Sequence, residues 1–209
     1  VPEKVKDGSD YLLNLSFKLK EDQLWAEKGF EVAYEQFQVE FTATEDADEI
    51  EEKQFTEVSN NADELVVKGE GFEVTFDKEK GQLVSFKNGS KELVQSPLEP
   101  NYWRPRIDNG TINGKFKNPA ADIGEVTVEE YTNKVKVTVP LTYASLGNST
   151  NVITYEIYPT GDIQVRSVFD AKGSDMLGRV GMKMQVPAGF ENIKYYGRGP
   201  EENYIDRNT

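Results

Sequence analysis

The chain has 209 residues, carries a formal charge of −13 from 24 Lys and Arg against 37 Asp and Glu, and contains neither Cys nor His. Its length suffices to bury a core without staples, and its charge argues against a nucleic-acid surface or an anionic membrane as partner. Without Cys and His, the chain excludes disulfides, Cys/His zinc sites, thiol nucleophiles, imidazole bases and Ser-His-Asp triads, leaving carboxylate, Lys, Tyr and hydroxyl chemistry.

No apolar run of 18 residues occurs, and the segment from Val1 to Lys6 lacks the apolar centre of a signal peptide. Both termini read as the ends of a fragment. The absence of Cys fits cytoplasm and bacterial periplasm alike, so the compartment stays open. Tyr11, Leu13, Leu15, Phe17 and Leu19 alternate with Asn14, Ser16, Lys18 and Lys20, the period of a strand with one face in and one out. Phe30, Val32 and Tyr34 hold one phase and Phe37, Val39 and Phe41 the other, which places a bulge near Glu35-Gln36. Between these strands a short helical turn is expected around Trp25. Residues Glu45 to Glu57 then carry seven acids against one Lys, too polar to pack. We place the domain boundary there, with 1–44 and 62–209 as the two domains and 45–61 as an acidic linker. A calcium loop would need an Asp-x-Asp-x-Asp-Gly spacing that is absent.

Strands then follow at short intervals: Leu65 to Val67, Phe72 to Phe76, and Leu83 to Phe86 after a hairpin turn at Asp77 to Gly81. Asn88-Gly89 predicts a type I′ turn. Further strands are Val126 to Tyr131, Val135 to Leu141, Val152 to Tyr158, Ile163 to Phe169 with Ser167 interrupting its apolar phase, Val180 to Val186, and Ile193 to Tyr195. The turn Tyr158-Pro159-Thr160-Gly161 joins two of them. Val and Tyr on both faces of 152–158 imply a central strand covered on both sides. With no helix-length amphipathic segment after residue 60, the expected fold is all-β, a sandwich of antiparallel sheets.

Two irregular segments concentrate polar recognition groups. The first runs from Pro97 to Gly114 and contains Trp103, Arg104, Asp108 and Asn109. A sugar needs an aromatic face for its C–H patch and planar donors and acceptors for its hydroxyls, and these four are of those types. The same residues also read as a buried Trp with an Arg–Asp pair bracing a loop. The second runs from Tyr195 to Arg207. Its adjacent Glu201 and Glu202 point to opposite sides of an extended chain, a poor acid/base pair, and a braced Gly-Arg-Gly-Pro turn is the simpler reading.

Asn101-Tyr102-Trp103-Arg104-Pro105-Arg106-Ile107-Asp108-Asn109 resembles the Phe-Trp-Arg and Asp-Asn signature of large bacterial β-galactosidases. Leu177 to Met184, followed by Tyr195-Tyr196-Gly197-Arg198-Gly199-Pro200 and Glu202-Asn203-Tyr204 with Asp206-Arg207, resembles the small-chain domain of glycoside hydrolase family 2 β-galactosidases. Trp25-Ala26, Gly29-Phe30 and Gln36-Phe37 are similar to the end of the immunoglobulin-like domain that precedes the small chain. The resemblance implies a C-terminal fragment: the last strands of an immunoglobulin-like β-sandwich in 1–44 and the first part of a galactose-mutarotase-like supersandwich in 62–209.

It further implies a retaining hydrolase of terminal β-D-galactosides whose two carboxylates and divalent-metal ligands lie on a barrel domain outside this chain. No catalytic residue, no metal site and no cofactor are therefore expected here. The expected partners are the galactoside and the rest of the same polypeptide, with the parent's oligomeric state open. Trp103, Arg104, Asp108 and Asn109 are the expected sugar-side contacts, on a loop at the mouth of the family's active site. Relatives commonly carry Asp-Asn-Asp-x-Gly-Asn-Gly there, whereas this chain has Asp108-Asn109-Gly110-Thr111-Ile112-Asn113-Gly114, lacking one carboxylate and one glycine. Two other classes remain open: a stand-alone carbohydrate-binding module, which needs a finished sugar site, and a purely architectural domain, which needs exposed apolar surface where other domains belong.

Overall fold

The computed structural model describes residues 2, 4–44, 53–105, 114–173 and 177–197. The chain divides into two compact units, Val1–Glu52 and Lys53–Thr209, whose paired strands are all antiparallel. Among the described residues the only helical turns are two short 3-10 segments, and no helix is long and apolar enough to cross a membrane.

In the first unit, β1 (Leu12–Lys18) and β2 (Glu31–Gln38) form a two-stranded ribbon pairing Leu13 with Phe37 and Phe17 with Ala33. Leu13, Leu15, Phe17 and Phe37 therefore share one face. On the other, Gln36 Nε2 donates to Asn14 Oδ1 at 2.7 Å. The alternation does specify strands, but the expected inward face is not covered: every residue of both is exposed, Phe17 at 63%. A ribbon of two strands has no second layer to lay over its apolar side. The register shift lies at Phe17/Lys18, opposite Val32, and not near Glu35-Gln36. The phase change seen in the sequence is simply Tyr34 and Phe37 on opposite faces of an unbroken strand. Nor is the segment around Trp25 helical. Asp22 Oδ1 takes the Lys28 N–H at 2.8 Å and Leu19 O takes the Gly29 N–H at 2.9 Å, local bonds that compete with a helical turn.

The second unit starts with a meander of β3 (Glu57–Asn60), β4 (Glu64–Gly69), β5 (Phe72–Asp77), β6 (Gln82–Asn88) and β7 (Lys91–Glu92) in sequential order. The chain leaves it through β8 (Ser96–Asn101). A second sheet follows, from β9 (Asp122–Ile123), β10 (Thr127–Glu130), β11 (Val135–Tyr143), β12 (Ser149–Ile157) and β13 (Ile163–Asp170), in the order β10-β11-β12-β13 with β9 also on β11. Finally β14 (Gly181–Gln185) returns to pair with β8.

Alternation now translates into burial. Leu65, Val67, Val74 and Phe76 of the meander form one core with Val135, Val137, Val139, Ile153, Tyr155 and Ile157 of the second sheet. The Phe76 and Tyr155 rings meet edge to face across it at 5.2 Å. β12 lies between β11 and β13, yet only its odd-numbered face is covered, and Val152 on the other face is 39% exposed. The neighbours of Val152 on that outer face, Thr150, Thr154 and Glu156, suit a face turned to water. Three further expectations change. Asn88 ends β6, and Gly89-Ser90 forms the turn with Gly89 alone left-handed, at φ 57°, the II′ rather than the I′ pattern. The irregular segment begins as strand β8 despite Pro97 and Pro100, because it pairs with β14 only and has an edge where missing N–H groups cost nothing. Ile193 to Tyr195 forms no strand and is exposed.

Glu92 braces the hairpin between β6 and β7. Its Oε1 accepts the N–H groups of Phe86, Leu93 and Val94 at 2.9, 3.1 and 3.0 Å, and Oε2 accepts the Ser85 hydroxyl. Partial burial alone pushes this carboxyl up, but the four donors together outweigh it and hold the group below the ordinary Glu range. A depressed carboxylate contributes stability above its unfolded value, and that contribution fades as pH falls through the folded one. Glu92→Ala should therefore cost about 1–2 kcal/mol at neutral pH. In urea titrations the gap from wild type should shrink once pH drops below about 4; a gap of equal size at pH 3 and pH 7 would contradict this.

Candidate functional site

The two motif-bearing segments, far apart in sequence, lie side by side. β14 pairs Gly181 with Asn101, Met182 with Pro100 and Lys183 with Glu99, so the Leu177 to Met184 motif supports the strand that runs into Tyr102-Trp103-Arg104. Lys183 Nζ fastens the pair, reaching Glu99 Oε1 at 3.0 Å and donating to Asn118 Oδ1 at 3.1 Å. Leu177 and Met182, like Trp103 and Leu98, pack partly buried on the core.

Of the expected sugar contacts, Trp103 and Arg104 are described and half-buried, while Asp108 and Asn109 lie outside the described residues, as do 198–207 of the second segment. Trp103 packs against the core cluster, and the Lys117 ammonium sits 4.9 Å from its ring centroid. The indole therefore already carries a cation on its ring. A sugar stacking on that face would have to displace Lys117. The Trp103 backbone N–H donates to Asn101 Oδ1 at 3.4 Å.

Beneath Trp103 lies a polar cluster that the sequence reading did not single out. Tyr102 is fully buried, its hydroxyl accepting from Asn151 Nδ2 at 2.7 Å and lying 3.5 Å from the Tyr143 hydroxyl. Asn151 Oδ1 in turn accepts from Ser167 Oγ at 2.9 Å. The Tyr102 ring stands edge-on to Tyr143 at 5.4 Å and tilts against Phe169 at 4.5 Å. One signal pointed here: Ser167 breaks the apolar phase of Ile163, Val165 and Phe169. Asn151, in phase with Ile153, Tyr155 and Ile157, was the matching one. Burial pushes both the Tyr102 and Tyr143 hydroxyls up, so at neutral pH they stay protonated and act as hydrogen-bonding groups rather than bases.

A cleft of about 450 Å³ adjoins β8, with Leu98, Pro100, Tyr102 and Leu141 as apolar wall and Glu99 and Asn118 as polar groups. Those two are already engaged by Lys183. Among the described residues the arrangement offers aromatic side chains and hydrogen-bond donors. No three carboxylates among the described residues are grouped to hold a metal ion.

Residues 68–209 match the family described as beta-galactosidase small chain, and residues 1–40 match the one described as beta-galactosidase, domain 4. Among curated relatives, the chain is 32% identical over 216 residues to a beta-galactosidase of Priestia megaterium, covering 99% of this chain and 21% of that protein. It is 31% identical to one from Halalkalibacterium halodurans, over 98% of this chain and 21% of the relative. A third, from Clostridium acetobutylicum, is 30% identical over 95% of this chain and 23% of its own length. The chain thus spans about a fifth of the length of these relatives.

Proposed function

Because the chain belongs to the beta-galactosidase small-chain family, preceded by a domain 4 segment, we propose that it is a non-catalytic portion of a retaining glycoside hydrolase family 2 β-galactosidase, acting on terminal β-D-galactosides. The nucleophile, the acid/base carboxylate and the divalent-cation ligands belong to a barrel domain elsewhere in the parent. This portion buttresses that domain and presents the segment from Trp103 to Asn109 to the galactoside. The observation that carries the reading is the pairing of β8 with β14, which joins the two family motifs into one support for Trp103 and Arg104. The apolar face of Leu13, Leu15, Phe17 and Phe37, exposed on the first unit, supports the buttressing role and argues against a finished, stand-alone binding module. The charge of −13 suits a neutral sugar and no nucleic-acid or membrane partner.

The test has two arms. The chain alone should release no nitrophenol from nitrophenyl β-D-galactoside, and turnover by it would end the non-catalytic reading. In the parent enzyme, Asp108→Ala with Asn109→Ala should raise KM about tenfold, a loss of about 1.4 kcal/mol of binding. Wild-type kcat and KM in that variant would remove the loop from the substrate site.

A further inference from the structure

Of the ten residues from Ser96 to Pro105, Tyr102 alone is fully buried. The rest of this segment pairs with β14 through a short ladder with a register shift between Lys183 and Gln185, and Leu98 and Trp103 rest partly buried on the core. Ring packing of Tyr102 on Tyr143 and Phe169 is attractive but weakly directional, and would tolerate a displaced seat.

The directional contact comes from the opposite sheet. Asn151 occupies an inward position of β12, 1% exposed, in the same row as Ile153, Tyr155 and Ile157. A primary amide in such a place is costly unless bonded. Ser167 Oγ, on the neighbouring strand β13, donates to Asn151 Oδ1, so the oxygen end of the amide is engaged there. The Nδ2 group is thereby aimed at a single acceptor, the Tyr102 hydroxyl, 2.7 Å away. In-register pairing of Asn151 with Phe169 and of Tyr143 with Ser149 places the contacts from β11, β12 and β13 around one ring.

We propose that Asn151, acting through Tyr102, is the positioning residue that seats Trp103 and Arg104. Trp103 and Arg104 follow Tyr102 directly, so fixing the Tyr102 ring fixes the backbone from which the next two side chains emerge. A buried polar pair of this kind specifies a register more than it adds stability. The placement itself does not depend on any sugar; only its kinetic consequence rests on the function proposed above.

The experiment labels the full chain with fluorotryptophan and follows Trp103 by fluorine NMR, with Trp25 of the first unit as reference. In Asn151→Leu with Tyr102→Phe both members of the pair become apolar and only the long 3.5 Å contact of the buried Tyr143 hydroxyl is lost, so the variant should fold with a modest fall in melting temperature. The Trp103 resonance should split or broaden and its quenching by acrylamide should rise, while Trp25 stays unchanged. Tyr102→Phe alone, which deletes one oxygen and keeps the ring, reads the same effect if the double variant does not fold. A single Trp103 resonance at the wild-type position, with unchanged quenching in a folded variant, overturns the proposal. In the parent enzyme the double variant should raise KM roughly tenfold with little change in kcat. A moved Trp103 signal with unchanged KM would leave the seating intact and remove Trp103 from the sugar site.

Discussion

Phe76→Ala is expected to destabilise the second unit by about 4 kcal/mol and to lower its melting temperature by about 10 °C. Phe76 has no exposed surface, and it packs where the two sheets meet. Leu65 and Leu83 flank it within the meander, and the Tyr155 ring meets it edge-on from β12. Truncation removes the transfer free energy of a buried ring and opens a cavity that these neighbours fill only in part. Leu65 and Tyr155 are held by ladders on both sides, β3 and β5 around the first and β11 and β13 around the second. Collapse into the hole is therefore opposed by backbone hydrogen bonds in both sheets. Urea denaturation followed by circular dichroism reads the loss. A cost below about 1 kcal/mol would mean that the sheets do not share this core.

Gly81→Ala should cost about 3 kcal/mol, close to the core truncation although it adds a single methyl group. Gly81 ends the turn between β5 and β6 with φ 60°, a left-handed conformation that costs an L-residue about 1 kcal/mol. The added Cβ would also stand 2.7 Å from Val139 Cγ1 and 3.3 Å from Ile123 Cγ2. Val139 is branched at Cβ, fully buried and paired on β11 with Ile153, so it cannot swing aside. Gly89→Ala supplies the control: its φ of 57° is nearly the same, but nothing lies within 4 Å of the new atom. Gly89→Ala should therefore cost only the backbone part, about 1–2 kcal/mol. Equal losses in the two variants would show that the hairpin turn does not press on the second sheet.

Strands were legible wherever side chains alternate, as in Phe72, Val74 and Phe76 or Val135, Val137 and Val139, because the two-residue period is a property of the chain alone. The turns at Asp77 to Gly81 and at Tyr158 to Gly161 were legible for a similar reason: their chemistry is local, with the Lys80 N–H on Asp77 Oδ1 and the Gly161 N–H on Tyr158 O. Local signals failed where partners decide. β8 forms through two prolines because β14 arrives to pair with it, and Ile193 to Tyr195 alternates like a strand but meets none. The outward face of β12 carries Val152, yet no third layer covers it among the described residues.

The sequence by itself determined the all-β class, the positions of most strands, the absence of thiol and imidazole chemistry, and the family motifs around Trp103 and Leu177, all of which reside in composition, period and local spacing. Only the tertiary structure decided that these motifs become one support, that Lys117 sits over the Trp103 indole, and that Asn151 and Ser167 hold Tyr102 from the far sheet. Those contacts join residues at least 14 positions apart. Their existence depends on which strands become neighbours and in what register, and that is settled by burying the shared apolar faces of two sheets rather than by any local preference of the chain.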